Sequence, residues 1–305
     1  MIKTKLLPLV LLSAFILAAC DSVEDESPAV SSDINYTKVE LLGSNINDDT
    51  ATDAGPEVSF NGLELYFHSN RAGGSGGLDL YVAKRASKND AWNPAVNLGT
   101  PINTSADDRA ASISKDGLTL IIASNRATVD SKGGIDLYVS TRATLSDDWS
   151  APTNLGGVVN TAFNESGADI QAEGLLIFFH SDRPGGLGGD DIYATSRVSL
   201  SDPWEPPVHL GTNVNSSDFD TAPEAASDLL TLYFHSTRPG GAGSHNIWRS
   251  TRASITGIWG VPELLPASIN STTANLGAGL SSDWKTLYFA SDFGTNSRDI
   301  WQAEP

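Results

Sequence analysis

Three acidic residues, Glu57, Asp169 and Glu224, are the strongest candidates for chemistry. They occupy equivalent positions in three copies of an internal repeat, and the other two copies have Ser112 and Gly279 there. Carboxyl groups that meet in one pocket acquire unequal pKa values, so that one can donate a proton while another accepts one. Hard oxygen ligands also suit calcium. Solvated acids on an acidic protein are the third interpretation, and the sequence leaves all three open.

A second set of repeated positions combines acids with arginines. The acid position reads Asp53, Asp108, Glu165, Asp220 and Asn275, and the arginine position reads Arg71, Arg126, Arg183, Arg238 and Phe293. The copy that lacks the acid therefore also lacks the arginine. Because an unpaired buried charge is costly, this joint change indicates ion pairs that stabilise the repeat. A polar ring that recognises a ligand is the alternative.

Three histidines, His68, His180 and His235, share a further repeated position, where the other copies have Ala123 and Ala290. A position that accepts either alanine or histidine favours packing between repeats over a metal site. These histidines therefore indicate no metal site, and we expect no cofactor.

These positions belong to a unit of about 55 residues that occurs five times along the chain. An aromatic-Ser-x-Arg segment, a Gly-rich loop and an Asp-Leu-Tyr segment follow one another, as in Phe67–Arg71, Gly73–Gly77 and Asp79–Tyr81. Short apolar runs between turns predict four strands per unit. Strands that are apolar on both faces must be buried on both faces. The predicted fold is all-β, a five-bladed β-propeller over residues 36–305.

The two ends of the repeat array complement each other. The last unit ends after its third strand, at Asp299–Trp301, and Lys38–Gly43 matches the fourth strand of the other units. We expect this N-terminal strand to complete the last blade, which closes the ring and removes its open edge. An open solenoid is the alternative, but it has no use for a permuted strand. In a closed ring, we expect the three acids and the acid–arginine positions around the same mouth of the channel.

The segments Ser114–Arg126 and Phe179–Tyr193 resemble the PD40, or WD40-like, repeat. That repeat occurs in TolB-type periplasmic proteins and in many other bacterial envelope proteins. The resemblance covers residues 36–305 and implies a propeller. It says little about function, because propellers include binding proteins, hydrolases and lyases.

The N-terminus has the pattern of an export signal. Two lysines precede the apolar run Leu6–Ala19, which is too short for a membrane span. The run ends in Leu17-Ala18-Ala19-Cys20, which resembles the bacterial lipobox, so we predict cleavage of residues 1–19 and lipidation of Cys20. A secretory signal with an incidental cysteine is the alternative. Residues 20–35 are polar and acidic, which predicts a flexible tether.

The charge balance narrows the choice of partners. The chain of 305 residues has 19 Lys and Arg against 37 Asp and Glu, a formal net charge of -18. This balance argues against a nucleic-acid partner, because binding to phosphates requires cations. The single cysteine cannot form a disulfide within the chain.

Two functions fit this sequence. The first is a monomeric, lipid-anchored binding or scaffold protein at the periplasmic face or the cell surface, without catalytic residues. Its propeller face would use both polar sets to engage an envelope protein, a peptide or a glycan. The alternative is an enzyme that acts on a carbohydrate, because Glu57, Asp169 and Glu224 resemble the acid, base and adjusting carboxylate of five-bladed glycoside hydrolases. Since catalysis needs different residues in different blades and most polar positions repeat regularly, we expect a protein that is not an enzyme.

Overall fold

The computed structural model describes residues 36–270, 273–293 and 297–305. These residues form five antiparallel sheets of four strands each. The first strands of successive blades contact one another, and the last of them contacts the first, so the blades close around a central channel. The predicted five-bladed propeller is thereby confirmed. The predicted signal peptide, Cys20 and the tether lie outside the described residues.

The strands are numbered in chain order, beginning with β1 (Lys38–Leu41). Blade 1 consists of β2 (Asp53–Val58), β3 (Glu64–Ser69), β4 (Asp79–Lys84) and β5 (Val96–Asn97). Blade 2 consists of β6 (Asp108–Ile113), β7 (Thr119–Ser124), β8 (Asp136–Thr141) and β9 (Thr153–Asn154). Blade 3 consists of β10 (Glu165–Gln171), β11 (Leu176–Ser181), β12 (Asp191–Ser196) and β13 (Val208–His209), with a short 3-10 turn at Ala172–Gly174. Blade 4 consists of β14 (Asp220–Ala225), β15 (Thr231–Ser236), β16 (Asn246–Thr251) and β17 (Glu263–Leu264). Blade 5 consists of β18 (Asn275–Leu280), β19 (Leu287–Ser291), β20 (Asp299–Glu304) and β1. Over the described ranges, no helix has the length and apolar character needed to cross a membrane.

The N-terminal strand closes the ring as predicted. β1 pairs antiparallel with β20, so that Lys38 lies opposite Glu304 and Leu41 lies opposite Trp301. The side chain of Asn47 then exchanges two hydrogen bonds with the backbone of Ile300, at 2.8 and 3.0 Å. The corresponding asparagines make the same pair of bonds in the other blades. The fifth blade is therefore built like the other four, although it is assembled from both ends of the chain.

The hydrophobic core lies between blades. In the second strand of blade 1, the consecutive residues Leu65, Tyr66 and Phe67 are all at most 1% exposed, because a neighbouring blade covers each face. One core layer, for example, packs Tyr66 of blade 1 against Ile113 and Leu120 of blade 2. Burial on both faces explains why these strands read as continuous apolar runs.

Each first strand runs along the channel between two different ends. The loop end carries the connections between blades and the Gly-rich loops. The hairpin end carries the turns between the first and second strands, such as residues 59–63 in blade 1. A β-bulge interrupts each first strand, as between Ala54 and Glu57, and its middle residue has a positive φ even where it is Ala110 or Ala222. The bulge re-aims the side chains that follow it along the channel.

Candidate functional site

The acid–arginine positions form ion pairs within blades 1 to 4, at the loop end. In blade 2, Arg126 Nη2 donates to the fully buried carboxylate of Asp108 and to the Ile102 carbonyl oxygen, each at 2.6 Å. The corresponding pairs are Asp53–Arg71 at 2.6 Å, Glu165–Arg183 at 3.1 Å and Asp220–Arg238 at 2.5 Å. Asp108 also accepts the backbone N–H and the hydroxyl of Thr104. These pairs fasten the connection between blades to the Gly-rich loop, and a contact with a ligand stays a prediction.

Blade 5 replaces the ion pair with two uncharged side chains. The Ser291 hydroxyl donates to the Asn275 side-chain oxygen at 2.8 Å. Phe293 packs edge-on against Trp301, with 5.6 Å between ring centroids. The joint loss of acid and arginine therefore leaves no buried charge without a partner at this position.

Glu57, Asp169 and Glu224 lie toward the hairpin end, which corrects the expectation that they surround the same mouth as the ion pairs. Glu57 follows Asp53 by four residues on β2, and the other two acids follow their ion pairs in the same way. The β-bulge takes up one of these residues, so the two positions pair with Ser69 and Tyr66, three residues apart on β3. An extended strand rises about 3.3 Å per residue, so roughly 10 Å of channel separates the two levels.

Each of these carboxylates links two blades by accepting a backbone N–H. Glu57 accepts from Ile113 at 3.0 Å, Asp169 accepts from Ala225 at 2.7 Å, and Glu224 accepts from Leu280 at 3.3 Å. Ser112 makes the equivalent contact without a charge, since its hydroxyl oxygen accepts the Ile170 N–H at 3.0 Å. Gly279 is the exception, because a Cβ there would lie 2.5 Å from the Pro56 carbonyl oxygen. The position thus serves the contact between blades, and the three acids add a titratable group to it.

Burial keeps protons on these carboxyl groups. It raises the pKa of Glu57 to about 8 and that of Asp169 to about 7, and it raises the pKa of Glu224 well above its usual range. The charge of Asp169 raises the pKa of Glu57 further. The charges of Glu57 and Asp169 both raise the pKa of Glu224. The three groups therefore act on one another and titrate as one set.

A cavity of about 300 Å³ opens at the hairpin end. Glu57 and Glu224 line it, and Asp169 does not. The remaining wall comes largely from the first hairpins and includes Phe60, Lys115, Gln171, Glu173, Asp228 and Trp284. Two acids with raised pKa values thus face one small space that a ligand can enter.

The three histidines make contacts between blades nearer the loop end. Nδ1 of His68 accepts the Ala110 N–H at 3.5 Å, Nδ1 of His180 accepts from Ala222 at 3.2 Å, and Nδ1 of His235 accepts from Gly277 at 3.0 Å. Burial lowers the pKa of His68 and His180 to about 3. These neutral rings have the packing role that the repeat indicates. In the part of the chain that the structure describes, no three His, Cys, Asp or Glu side chains are arranged to hold a metal ion.

Sequence reasoning missed a group of charged residues at the loop end. Arg109 follows the paired acid of blade 2, and Asp190, His245 and Arg298 each precede the third strand of their blades. Burial and the charge of Asp182 raise the pKa of Asp190 to about 6, while the charge of Arg109 opposes this shift. Each of these residue types occurs in only one blade at its repeat position. Such a break in the repeat is the signal that could have found them.

The fold is that of a β-propeller, and it resembles solved propellers of different functions. TolB from Acinetobacter baumannii superposes with a TM-score of 0.52 and 13% identity, over 85% of this chain and 56% of TolB. The endo-arabinase from Bacteroides thetaiotaomicron VPI-5482 gives 0.54 and 13%, over 87% and 96% of the two chains. The α-L-arabinofuranosidase PaAbf62A from Podospora anserina gives 0.54 and 12%, over 90% and 99%. No protein-family model matches the sequence, and no curated protein sequence matches it.

At these identities the likeness shows the fold alone, and the chain spans just over half the length of the Acinetobacter TolB. The comparisons nevertheless contradict the expectation of a protein that is not an enzyme. Several solved propellers with this fold are described as a family-43 glycoside hydrolase, an endo-arabinase or an α-L-arabinofuranosidase, so the fold itself does not exclude catalysis. Regular repetition of polar positions was a poor guide, because it reports how blades are held together.

Proposed function

We propose that this chain is a carbohydrate-active enzyme that hydrolyses a glycosidic bond at the hairpin end of its channel. One observation carries the proposal. Buried carboxyl groups from three blades shift one another's pKa values, and two of them, Glu57 and Glu224, line the same cavity. Glycoside hydrolysis requires such a set, because one carboxyl group must protonate the leaving oxygen while a second acts as base or nucleophile.

The pKa values suggest a role for each carboxyl group. Asp169, with a pKa of about 7, ionises before Glu57, with a pKa of about 8. The charge on Asp169 then holds protons on the other two, so Asp169 is the carboxylate that adjusts the acid. When Glu57 ionises in turn, its charge strengthens the hold of Glu224 on its proton. Glu57 and Glu224, which line the cavity, then supply the general acid and the base or nucleophile between them.

The cavity fits this chemistry in size and lining. A volume of about 300 Å³ lies at the lower end of the range for ligand sites, which suits one sugar unit with its leaving group toward solvent. Gln171 lies in the wall and its amide nitrogen donates to Asp169 at 2.9 Å. This hydrogen bond holds Asp169 in place behind the cavity. Phe60 and Trp284 supply apolar surface to the same wall.

The N-terminal pattern supports a place in the cell envelope. We propose that cleavage after Ala19 leaves Cys20 lipid-anchored at the periplasmic face or the cell surface, and that residues 20–35 tether a monomeric, PD40-like propeller. The partner is then an envelope or environmental glycan rather than a nucleic acid. Mass spectrometry of the N-terminal peptide tests the anchor: a lipid mass on Cys20 is expected, and a free thiol there contradicts it.

Hydrolysis of a defined substrate panel tests the activity. The purified full-length protein in detergent is incubated with arabinan, aryl arabinosides and a set of bacterial and plant glycans, and released reducing ends are measured. Glu57→Gln and Glu224→Gln each keep an oxygen that can accept the N–H of the next blade. We expect each to lower kcat by about 10²- to 10⁴-fold, as loss of an acid or base does.

The control makes the same chemical change away from the cavity. Glu40 lies on the outer strand β1 and is exposed, so Glu40→Gln should leave the rate unchanged. The proposal fails if no glycan is hydrolysed, or if Glu57→Gln and Glu224→Gln hydrolyse as fast as Glu40→Gln.

A further inference from the structure

We propose that the loop end of the channel binds an anionic group, a carboxylate or a phosphate, between Arg109 and Arg298. This site lies at the opposite end from the cavity of Glu57 and Glu224. The proposal is independent of the proposed hydrolysis, because it involves other residues and is tested by equilibrium binding instead of activity.

Arg109 differs from the other arginines of the loop end. Arg71, Arg126, Arg183 and Arg238 each have a carboxylate within 3.1 Å. Arg109 is half-buried, and its guanidinium has no hydrogen bond or ion pair with any residue that the structure describes. A guanidinium that has lost part of its hydration gains most from an oxyanion, which matches its fork of N–H donors.

Arg298 offers a second guanidinium at the same end. It precedes β20, and its Nε is buried without a hydrogen-bond partner among the described residues. A buried donor that is left unpaired costs about 1–3 kcal/mol, so an arriving acceptor would be stabilised there. Two such arginines in a chain with a formal net charge of -18 are unusual, because carboxylates are in excess.

The order of the blades brings the two arginines to the same place. Blade 1 lies between blade 5, which carries Arg298, and blade 2, which carries Arg109. The Arg298 carbonyl oxygen accepts the Asp53 N–H of blade 1 at 2.8 Å. The residue after Arg109 is Ala110, whose N–H donates to His68 of blade 1. Both guanidinium charges lower the pKa of His68, which agrees with this backbone placement.

The neutral histidines add donors without adding charge. Because Nδ1 of His68, His180 and His235 accepts a backbone N–H, each neutral ring carries its proton on Nε2. All three histidines are half-buried. An oxyanion at this level would thus meet two guanidiniums and imidazole N–H groups.

Asp190 is the acid that competes with the ligand for Arg109. The two charges act on each other, but no ion pair forms between them among the described residues. Asp182 lies on the same side and disfavours the ionised form of Asp190. Removal of the Asp190 charge should therefore strengthen anion binding, whereas removal of the Arg109 charge should weaken it.

Calorimetric titration of the full-length protein tests the site. The probes are inorganic phosphate, glucuronate and, as a neutral comparison, glucose. We expect one of the two anions to bind and glucose to bind much more weakly; the stronger anion identifies the group. Arg109→Met and Arg298→Met should each weaken its binding by about tenfold or more, the loss of one charged hydrogen bond. Asp190→Asn should strengthen it several-fold.

Lys285→Met is the matched control, because Lys285 is exposed at the hairpin end and its loss changes the net charge equally. The proposal is overturned if neither anion binds the unmodified protein, a result that needs no variant. It is also overturned if Lys285→Met weakens binding as much as Arg109→Met, or if Asp190→Asn weakens it. Circular dichroism of each variant separates a lost site from a lost fold.

Discussion

The two ends of the channel bury ionisable groups in different ways. At the hairpin end, Glu57 and Asp169 are buried beside like charges, and their pKa values rise until protons remain bound near neutral pH. At the loop end, Asp108 is buried just as deeply but lies 2.6 Å from Arg126. Burial of a charge is costly unless the charge is paired or removed by a proton. The repeated acids at one end of this channel are therefore paired with arginines, and the acids at the other end are protonated.

At both ends, side chains of one blade accept backbone N–H groups of the next blade. Most first strands direct such N–H groups toward the preceding blade. At the hairpin end the acceptor is a carboxylate or Ser112, and at the loop end it is a histidine ring. Proton transfer to a ligand requires an acceptor that is ionisable and also faces open space. That condition is met by Glu57 and Glu224, which line a cavity, and it is not met by Asp108, which is fully buried.

The largest effect is expected from breaking a pair at the loop end. Asp108→Asn leaves the Arg126 guanidinium buried without a compensating charge, and it should lower the free energy of unfolding by about 3–5 kcal/mol. Urea denaturation measures this cost. The double variant Asp108→Asn/Arg126→Phe copies the natural combination of Asn275 and Phe293. It should recover much of the loss, so additive costs of the two changes would refute the paired arrangement.

A smaller effect, on the order of a few kcal/mol, is expected from removing a protonated carboxyl group at the hairpin end. The folded protein holds the Glu57 proton up to a pKa of about 8, whereas the unfolded chain releases it near 4.5. Stability from this group is fully present below pH 4.5 and is lost as the pH rises toward 8. Glu57→Gln should therefore gain stability relative to the unmodified protein between pH 5 and pH 8. Urea midpoints at both pH values measure the difference, and a difference that does not change with pH would contradict the assignment.

The loop end should show the opposite dependence. His68 stays neutral in the folded protein down to a pKa of about 3, whereas the unfolded chain binds a proton near 6.5. Stability from this neutral ring is present above pH 6.5 and is lost as the pH falls toward 3. His68→Gln, whose side-chain oxygen can still accept the Ala110 N–H, should gain relative stability as the pH falls from 7 to 4. Urea midpoints at pH 7 and pH 4 measure this difference. A relative stability of His68→Gln that increases toward alkaline pH would contradict the prediction.

Much of the fold and part of this comparison could be predicted from sequence. The repeat gave the blade count, and the match of Lys38–Gly43 to the missing fourth strand gave the closure, because both depend on local apolar patterns. The joint replacement by Asn275 and Phe293 indicated the ion pairs, since an unpaired buried charge is costly.

The placement of the acids was missed for a physical reason. Glu57 and Asp53 share a strand and pair with residues three apart on β3, which span roughly 10 Å, so the two positions cannot surround one mouth. Pattern alone also does not reveal the bulge between Ala54 and Glu57, which needs a positive φ in the middle of a strand. Arg109 and Arg298 were missed because each occurs in only one blade at its position, so the repeat does not mark them.

The smallest effect is expected where the repeat has already made the substitution. Ala123 and Ala290 occupy the histidine position in blades 2 and 5, so His180→Ala should be tolerated. It removes one hydrogen bond, from the Ala222 N–H. The expected cost is about 1 kcal/mol in urea denaturation. Because Glu224 at the hairpin end accepts the N–H of Leu280 in the same manner, Glu224→Ala is the informative comparison. A cost for His180→Ala that equals or exceeds the cost of Glu224→Ala would mean that the histidines, and not the carboxyl groups, are the stronger links between blades.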